Sequence, residues 1–263
     1  MAEDNLTECD VAAGQLTRGA FFYGMRSCEY LKVSGYVRRT KLLRLKNIRF
    51  YKHRRELSHD NPQLRYADTC SITFEFQKND ERDITVTMHR TGDPVLCPCL
   101  VWADIVQRIL GYPGTSPEST VCTVLVGGEL RQLTSKEVLN RLRAVVRSIG
   151  FDHLGFKDSD IGTHSIRSSA AMSMYLAGVP VFTIMLIGRW SSDAFLRYIR
   201  RQVQQFSSGV SRRMIVSEGF FTIPESAGDE DPRAPNCRAN FSARSHIGPD
   251  AHQLAQQPFA LHY

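Results

Sequence analysis

Two short stretches of alternating apolar and polar residues, separated by a turn, most strongly limit the fold of this chain. Residues 71–77 (SITFEFQ) and 83–89 (DITVTMH) alternate with a period of two, and residues 78–81 (KNDE) between them contain turn-favouring Asn and Asp. The pattern is typical of an antiparallel hairpin, because successive side chains of a strand point to opposite faces of the sheet. Residues 42–50 alternate in the same way and predict a third strand.

Helical patterns surround this small sheet. Apolar side chains recur at helical spacing before it and in several segments after it. Thr134 and Glu137 form a capping box, which begins a helix, and Gly188 ends a short apolar one. The sequence therefore predicts an α+β fold, mainly α, with about three antiparallel strands beside a helical bundle. The predicted helices cover residues 14–33, 101–110, 134–149, 163–177 with Thr163 as its cap, 181–187, and a segment capped by Ser191 or Ser192 that carries Tyr198.

Length and composition predict one main domain with tails. The chain has 263 residues, of which 42% are apolar and 23% charged, as in an ordinary globular protein. We expect a disordered N-terminus over residues 1–13, a folded domain over residues 14–215, and a mostly disordered tail over residues 216–263. The tail is predicted from its many Pro, Gly, Ser, Ala and Gln residues and its weak periodicity.

The cysteines indicate a reducing compartment. There are seven, at irregular spacing, and no secretory signal or apolar run of membrane-spanning length accompanies them. Cys97-Pro-Cys99 lacks the spacer and the second ligand pair of a structural zinc site, so we expect no metal there. The expected location is intracellular, without a membrane.

Basic residues are unevenly distributed along the chain. The net charge is +6, yet residues 38–55 contain nine Lys or Arg and no acid, and residues 197–213 contain five Arg and no acid. Each run alone is typical of a solvated basic face, and together they favour a phosphate-contacting surface. The candidate DNA-binding residues are Arg38, Arg39, Lys41, Arg44, Lys46, Arg200 and Arg201.

A set of polar residues near the second basic run suggests chemistry on a phosphate. His164 and Arg167 are three residues apart and share a helical face, and Trp190 precedes Tyr198 by eight residues. An arginine clamps phosphate oxygens, a histidine moves protons, and a tyrosine hydroxyl can attack phosphorus. Taken singly, the His–Arg pair also fits a capped helix with an exposed Arg, and Tyr198 fits a packed face of an amphipathic helix.

The order of the motifs resembles the tyrosine recombinases, the phage integrase-like enzymes that exchange DNA strands. Residues 24–31 (GMRSCEYL) are similar to the family's G-L-R-x-S-E-L motif, residues 164–167 (HSIR) to its H-x-x-R box, and residues 188–190 (GRW) to its His or Trp position. The family's catalytic lysine lies at a hairpin turn, and Lys78 lies in the turn of the hairpin predicted above. The resemblance implies a catalytic set of Arg26, Lys78, His164, Arg167, Trp190 and Tyr198.

The resemblance also implies a role for each residue. Tyr198 would attack a DNA phosphodiester and form a 3′-phosphotyrosyl link, while Arg26 and Arg167 clamp the phosphate. Lys78 would protonate the leaving 5′-oxygen, and His164 would exchange a proton with the tyrosine. The indole N–H of the tryptophan would bond a phosphate oxygen.

Partners and domain organisation follow from the same resemblance. It implies double-stranded DNA as the partner, a homo-oligomer on that DNA, no cofactor, no small-molecule substrate, and a location with DNA, in the nucleus of a eukaryote. The family's N-terminal DNA-clamping domain is expected to be absent. The alternative is a catalytically inactive, mobile-element-derived DNA-binding domain.

Overall fold

A computed structural model describes residues 7–33, 40–76 and 82–190. Contacts divide the chain into one compact unit, Met1–Ser211, which contains all of these residues, and another, Arg212–Tyr263. Seven α-helices and six strands occur in the described ranges, and the predicted α+β class is confirmed. The helices are α1 (Glu8–Phe22), α2 (Ser27–Tyr30), α3 (Pro98–Leu110), α4 (Ser135–Ile149), α5 (Phe151–Leu154), α6 (Ser165–Leu176) and α7 (Val181–Gly188). The strands are β1 (Ile48–Lys52), β2 (Arg55–Leu57), β3 (Thr69–Phe74), β4 (Ile84–His89), β5 (Thr123–Val126) and β6 (Glu129–Gln132).

The main sheet contains the predicted hairpin. Its strand order is β2-β1-β3-β4, with every neighbouring pair antiparallel. β3 and β4 pair with Ile72 opposite Val86, both on the buried face, as the alternation of the sequence predicts. The turn between them, residues 77–81, lies outside the described part of the chain.

The sheet is larger than the predicted three strands. β2 was missed because it has three residues and no apolar alternation. The predicted strand over residues 42–50 begins only at Ile48, because the preceding residues form a 3-10 turn. In that turn the N–H groups of Leu45 and Lys46 donate to carbonyls of a distant loop, at Ser119 and Pro117, rather than to a strand. β5 and β6 form a separate two-stranded sheet, in which Thr123 lies opposite Gln132 and Val126 opposite Glu129.

The first helix begins earlier and ends earlier than predicted. Thr7 caps α1 through a capping box with Asp10. Cys9, Ala12 and Ala13 are buried, so the expected disorder of residues 1–13 is wrong for residues 8–13. The predicted helix over residues 14–33 stops at Phe22, and α2 forms after a short loop. Small side chains packed in the core account for the missed start.

The core lies between α1, the main sheet and α3. Trp102 of α3 is fully buried and meets Tyr23, just after α1, edge-on at 6.1 Å between ring centroids. The hydroxyl of Tyr23 donates to the carbonyl oxygen of Cys70 in β3 at 2.7 Å. Burial holds the pKa of Tyr23 well above its ordinary value. The end of α1 is thereby fixed against the sheet, and the loop that follows starts from a rigid point.

The later helices follow the sequence closely. The capping box of Thr134 and Glu137 is present at α4. α6 begins at Ser165 with His164 at the N-cap position, so the predicted cap at Thr163 is wrong. The hydroxyl of Ser165 instead accepts from the N–H of Gly162 at 2.9 Å. α6 packs on α7 through a small cluster centred on Ala171 and Ile184.

Candidate functional site

Three of the predicted catalytic residues lie where the loop between α1 and α2 meets the end of α7. Arg26 occupies the N-cap position of α2, Arg167 is the third residue of α6, and Trp190 follows α7. His164 lies one turn before Arg167. Three segments of the sequence, around α2, the start of α6 and the end of α7, therefore supply neighbouring side chains.

The carboxylate of Glu29 orients the side chain of Arg26. Oε2 of Glu29 accepts from the main-chain N–H of Arg26 at 2.8 Å, and Oε1 accepts from Arg26 Nη1 at 3.1 Å. The Glu29 side chain is 2% exposed and the Arg26 side chain 16% exposed. Arg26 Nη2 also donates to the carbonyl oxygen of Arg189 at 3.4 Å. The guanidinium of Arg26 is thus held by protein groups while part of its surface reaches solvent.

Arg189, which the sequence did not nominate, is at the centre of this network. Its side chain is fully buried, and Nη2 donates to Oε2 of Glu29 at 2.7 Å. Nη1 donates to the carbonyl oxygens of Tyr23 and Ile187, both at 3.0 Å. The guanidinium carbon lies 3.7 Å from the ring centroid of Phe74, the last residue of β3. Arg189 therefore connects the end of α1, α2, β3 and the end of α7.

Arg167 is held from two sides. Its Nη1 donates to the carbonyl oxygen of Gly24, and its guanidinium carbon lies 3.9 Å from the ring centroid of Trp190. Only 3% of Arg167 is exposed. A cation over an indole face is attracted by the negative face of the ring. The charge of Arg167 therefore remains near the site in a fixed orientation.

Two glycines allow the backbone segments to approach this closely. Gly24 has a φ of +51°, which glycine adopts without strain. A Cβ added to Gly188 would lie 1.4 Å from Cζ3 of Trp190, because the indole covers that residue. The Gly–Arg–Trp sequence of residues 188–190 therefore has a packing requirement at each of its three positions.

His164 lies at the edge of this network and is exposed. It lines an open cavity with Asp160, Thr163, Ser165 and Ser168. The carbonyl oxygen of His164 accepts from the hydroxyl of Ser168 at 2.9 Å. Its imidazole is accessible to a ligand that enters this cavity, whereas the nearby Arg167 is already covered.

Several residues of the basic run pair with acids in the fold. Arg44 Nη1 and Lys46 Nζ contact Glu118 at 2.5 and 3.0 Å, and Lys41 Nζ lies 3.8 Å from Glu75. Hydrogen bonds from Lys46, which has the larger effect, and from Arg44 lower the pKa of Glu118. Part of the predicted DNA-binding charge is therefore offset by carboxylates from distant segments. The nominated residues outside the described part of the chain are Arg38, Arg39, Lys78, Tyr198, Arg200 and Arg201.

Glu29 and Arg189 also belong to the site, although no sequence pattern predicts a role for them there. Glu29 stands inside the motif that nominated Arg26, and Arg189 stands inside the motif that nominated Trp190. Both residues are visible within these motifs, but the ion pair between them forms only when the chain folds. Within the described residues, no group of three or more His, Cys, Asp or Glu side chains is arranged to hold a metal ion.

Comparison with protein-family models gives no match for this chain, and comparison with curated protein sequences gives none at the significance required. The longest described helices have 15 residues, and none of the described helices has the length and apolar character to cross a bilayer.

Proposed function

We propose that the protein cleaves and rejoins DNA strands through a 3′-phosphotyrosyl intermediate on Tyr198. The observation that carries the proposal is the shared network of Arg26, Arg167 and Trp190, three residues nominated from separate motifs. In this proposal the α+β unit is a tyrosine recombinase-like catalytic core. It acts on double-stranded DNA as a homo-oligomer, in site-specific recombination or integration.

The proposed step exchanges one phosphodiester for another. The hydroxyl oxygen of Tyr198 forms a bond to phosphorus while the bond from phosphorus to the 5′-oxygen breaks. His164 takes the proton of the tyrosine, and Lys78 gives a proton to the departing oxygen. Rejoining is the reverse reaction, with a 5′-hydroxyl as the nucleophile. Neither direction needs an oxidant or an external energy source.

Arginine chemistry supports this assignment. During the step, negative charge develops on the non-bridging phosphate oxygens, and fixed cations that are already oriented stabilise it most. Arg26 is oriented by Glu29 and is partly exposed, which suits contact with a phosphate. An arginine remains charged at any physiological pH and can bond two phosphate oxygens at once.

The burial of Arg167 favours a second candidate function. Its guanidinium already bonds the carbonyl of Gly24 and stacks on Trp190, so contact with a phosphate requires this packing to open. A catalytically inactive DNA-binding domain, derived from a mobile element, would keep such packing without using it. The two functions differ in one measurable product, a covalent protein–DNA adduct.

A nicked DNA substrate distinguishes these functions. We would incubate the full chain with a pool of duplexes that carry a nick next to a randomised position, so that cleavage releases a short strand and traps the adduct. The expected result is a denaturant-resistant adduct with the wild type and none with Tyr198→Phe. Salt-sensitive DNA binding without an adduct would support the inactive domain.

Two arginine substitutions extend the same experiment. Arg167→Ala is expected to lower the rate of adduct formation by about 100-fold or more, since a positive charge that stabilises the developing phosphate charge is lost. Arg143→Ala is the matched control, because Arg143 also donates to a main-chain carbonyl, that of Ile161, at 2.8 Å. Equal losses in both variants would contradict a catalytic role for Arg167.

A further inference from the structure

We infer that Arg189 is a positioning residue, which holds Arg26 and Trp190 in the geometry that the reaction needs. The inference rests on the proposed function for its activity readout, and on the geometry of the described residues for its structural readout. Arg189 itself is fully buried, so it acts through its neighbours rather than by touching DNA.

The first link runs from Arg189 to Arg26 through Glu29. One carboxylate oxygen of Glu29 accepts from Arg189 at 2.7 Å and from the main-chain N–H of Arg26 at 2.8 Å, while the other accepts from Arg26 Nη1. Arg26 Nη2 in turn donates to the carbonyl oxygen of Arg189. Rotation of the carboxylate would break bonds to both arginines at once. Arg189 therefore limits the orientations that the Arg26 guanidinium can take.

The second link runs through the backbone to Trp190. Arg189 ends α7 in the left-handed conformation, with φ 56° and ψ 51°. This turn brings the main-chain N–H of Trp190 to the carbonyl of Met185 at 3.0 Å and places the indole over Gly188. The side-chain bonds of Arg189 to Tyr23 and Glu29 hold the turn in place. The indole that stacks on Arg167 is consequently fixed by its neighbour in the sequence.

The features of Arg189 are unfavourable for a residue that only fills the core. A left-handed conformation is strained for any residue except glycine, and a buried ion pair loses the hydration of both charges. An apolar side chain of similar volume would fill the space beside Phe74 at a lower cost. Strained residues and buried charge networks are concentrated at functional sites, where orientation matters more than stability.

Only an arginine has the donor geometry for this position. Its planar fork serves Glu29 and two carbonyls at the same time, while its face stacks on Phe74. A lysine keeps the charge and the ion pair but has one nitrogen on a flexible stem. Arg189→Lys therefore tests positioning without removing the charge.

The experiment compares Arg189→Lys with Arg108→Lys in the full chain. Arg108 is a matched control, because it is largely buried and also bonds a carboxylate, Glu8, and a carbonyl, that of Thr123. For Arg189→Lys we expect the maximal rate of adduct formation on the nicked duplexes to fall ~10- to 100-fold, as expected for misplaced groups. The dissociation constant for DNA should change less than about threefold, because few phosphate contacts are lost.

The control variant Arg108→Lys should lower the melting temperature while its rate of adduct formation stays within about twofold of wild type, since Arg108 is not linked to Arg26. Equal falls in the rate would show that Arg189 has only a structural role.

A second readout does not depend on cleavage. Trp190 gives an indole ¹⁵N–¹H signal that Trp190→Phe identifies by its loss, and Trp102 supplies an internal reference in α3. We expect Arg189→Lys to shift the signal of Trp190 and to leave that of Trp102 in place. Arg108→Lys should leave the Trp190 signal unmoved. A wild type that forms no adduct would overturn the proposed function alone, whereas an unmoved Trp190 signal in Arg189→Lys would overturn the positioning role.

Discussion

Gly188 shows how a single absent side chain shapes the site. The indole of Trp190 covers its Cα so closely that an added Cβ would lie 1.4 Å from one ring carbon and 2.0 Å from the next. A contact of this length is far inside the van der Waals distance, so the ring has to move before any larger residue fits. The stacking of that ring on Arg167 would be lost with it.

Gly188→Ala is therefore expected to destabilise the protein by about 1–3 kcal/mol, the range for forced overpacking. Urea unfolding measures the change. Gly14→Ala is the control, because Gly14 lies on the exposed face of α1 and nothing within 4 Å meets its added Cβ. That variant should gain about 0.5–1 kcal/mol from helix propensity. Equal stability of wild type and Gly188→Ala would mean that the indole does not cover this glycine.

At the scale of the element, the start of helix α4 is stabilised by the carboxylate of Glu137. Burial alone would raise the pKa of Glu137, but hydrogen bonds from Thr134 and Arg131 outweigh it and hold the pKa below the ordinary value of 4.5. A carboxylate with a lowered pKa contributes stability above its ordinary pKa. That contribution is lost as the pH falls through the lower value of the folded state.

The start of α4 should consequently be sensitive to acid. We expect Glu137→Gln to lower the free energy of unfolding at pH 7, and the gap to the wild type to narrow as the pH falls below the ordinary pKa of 4.5. Urea titrations across this range provide the measurement. In a Thr134→Ala background the effect of Glu137→Gln should shrink, because the two residues share the capping box. A gap that stays constant with pH would assign the effect to packing rather than to charge.

Elements with a complete local signal could be predicted from the sequence, and those stabilised by distant partners could not. The hairpin of β3 and β4 has its own alternation, and α4 has its own cap, so both were expected near their observed positions. β2 has three residues without a pattern, and its pairing is visible only from β1. The start of α1 depends on small side chains whose burial is decided by the core.

The same distinction applies to the candidate site. Arg26, Arg167 and Trp190 were nominated because each stands in a motif a few residues long. The pair of Glu29 and Arg189 was missed because it joins residues far apart in the sequence, and no local spacing indicates a buried ion pair. The acidic partners of Lys41 and Arg44 come from distant segments for the same reason.

At the scale of the whole molecule, the charge pattern differs from the one that the sequence suggests. The net charge is +6, and the run over residues 38–55 contains no acid. The fold nevertheless brings Glu118 within bonding distance of Arg44 and Lys46. Since a carboxylate repels phosphate, the strength of any DNA contact at this surface depends on Glu118 as well as on the basic residues.

Glu118→Gln should therefore strengthen DNA binding if this surface contacts the phosphate backbone. We expect a lower dissociation constant, and a slope of log affinity against log salt that is steeper by about one, since one further phosphate contact releases counterions. Glu129→Gln, on exposed β6, makes the same change in net charge at a carboxylate that has no ion pair with Arg44 or Lys46, and should leave the slope unchanged. If both variants steepened the slope equally, net charge alone would explain the effect. If neither did, the surface around Arg44 would not contact DNA, and binding would depend on other basic residues.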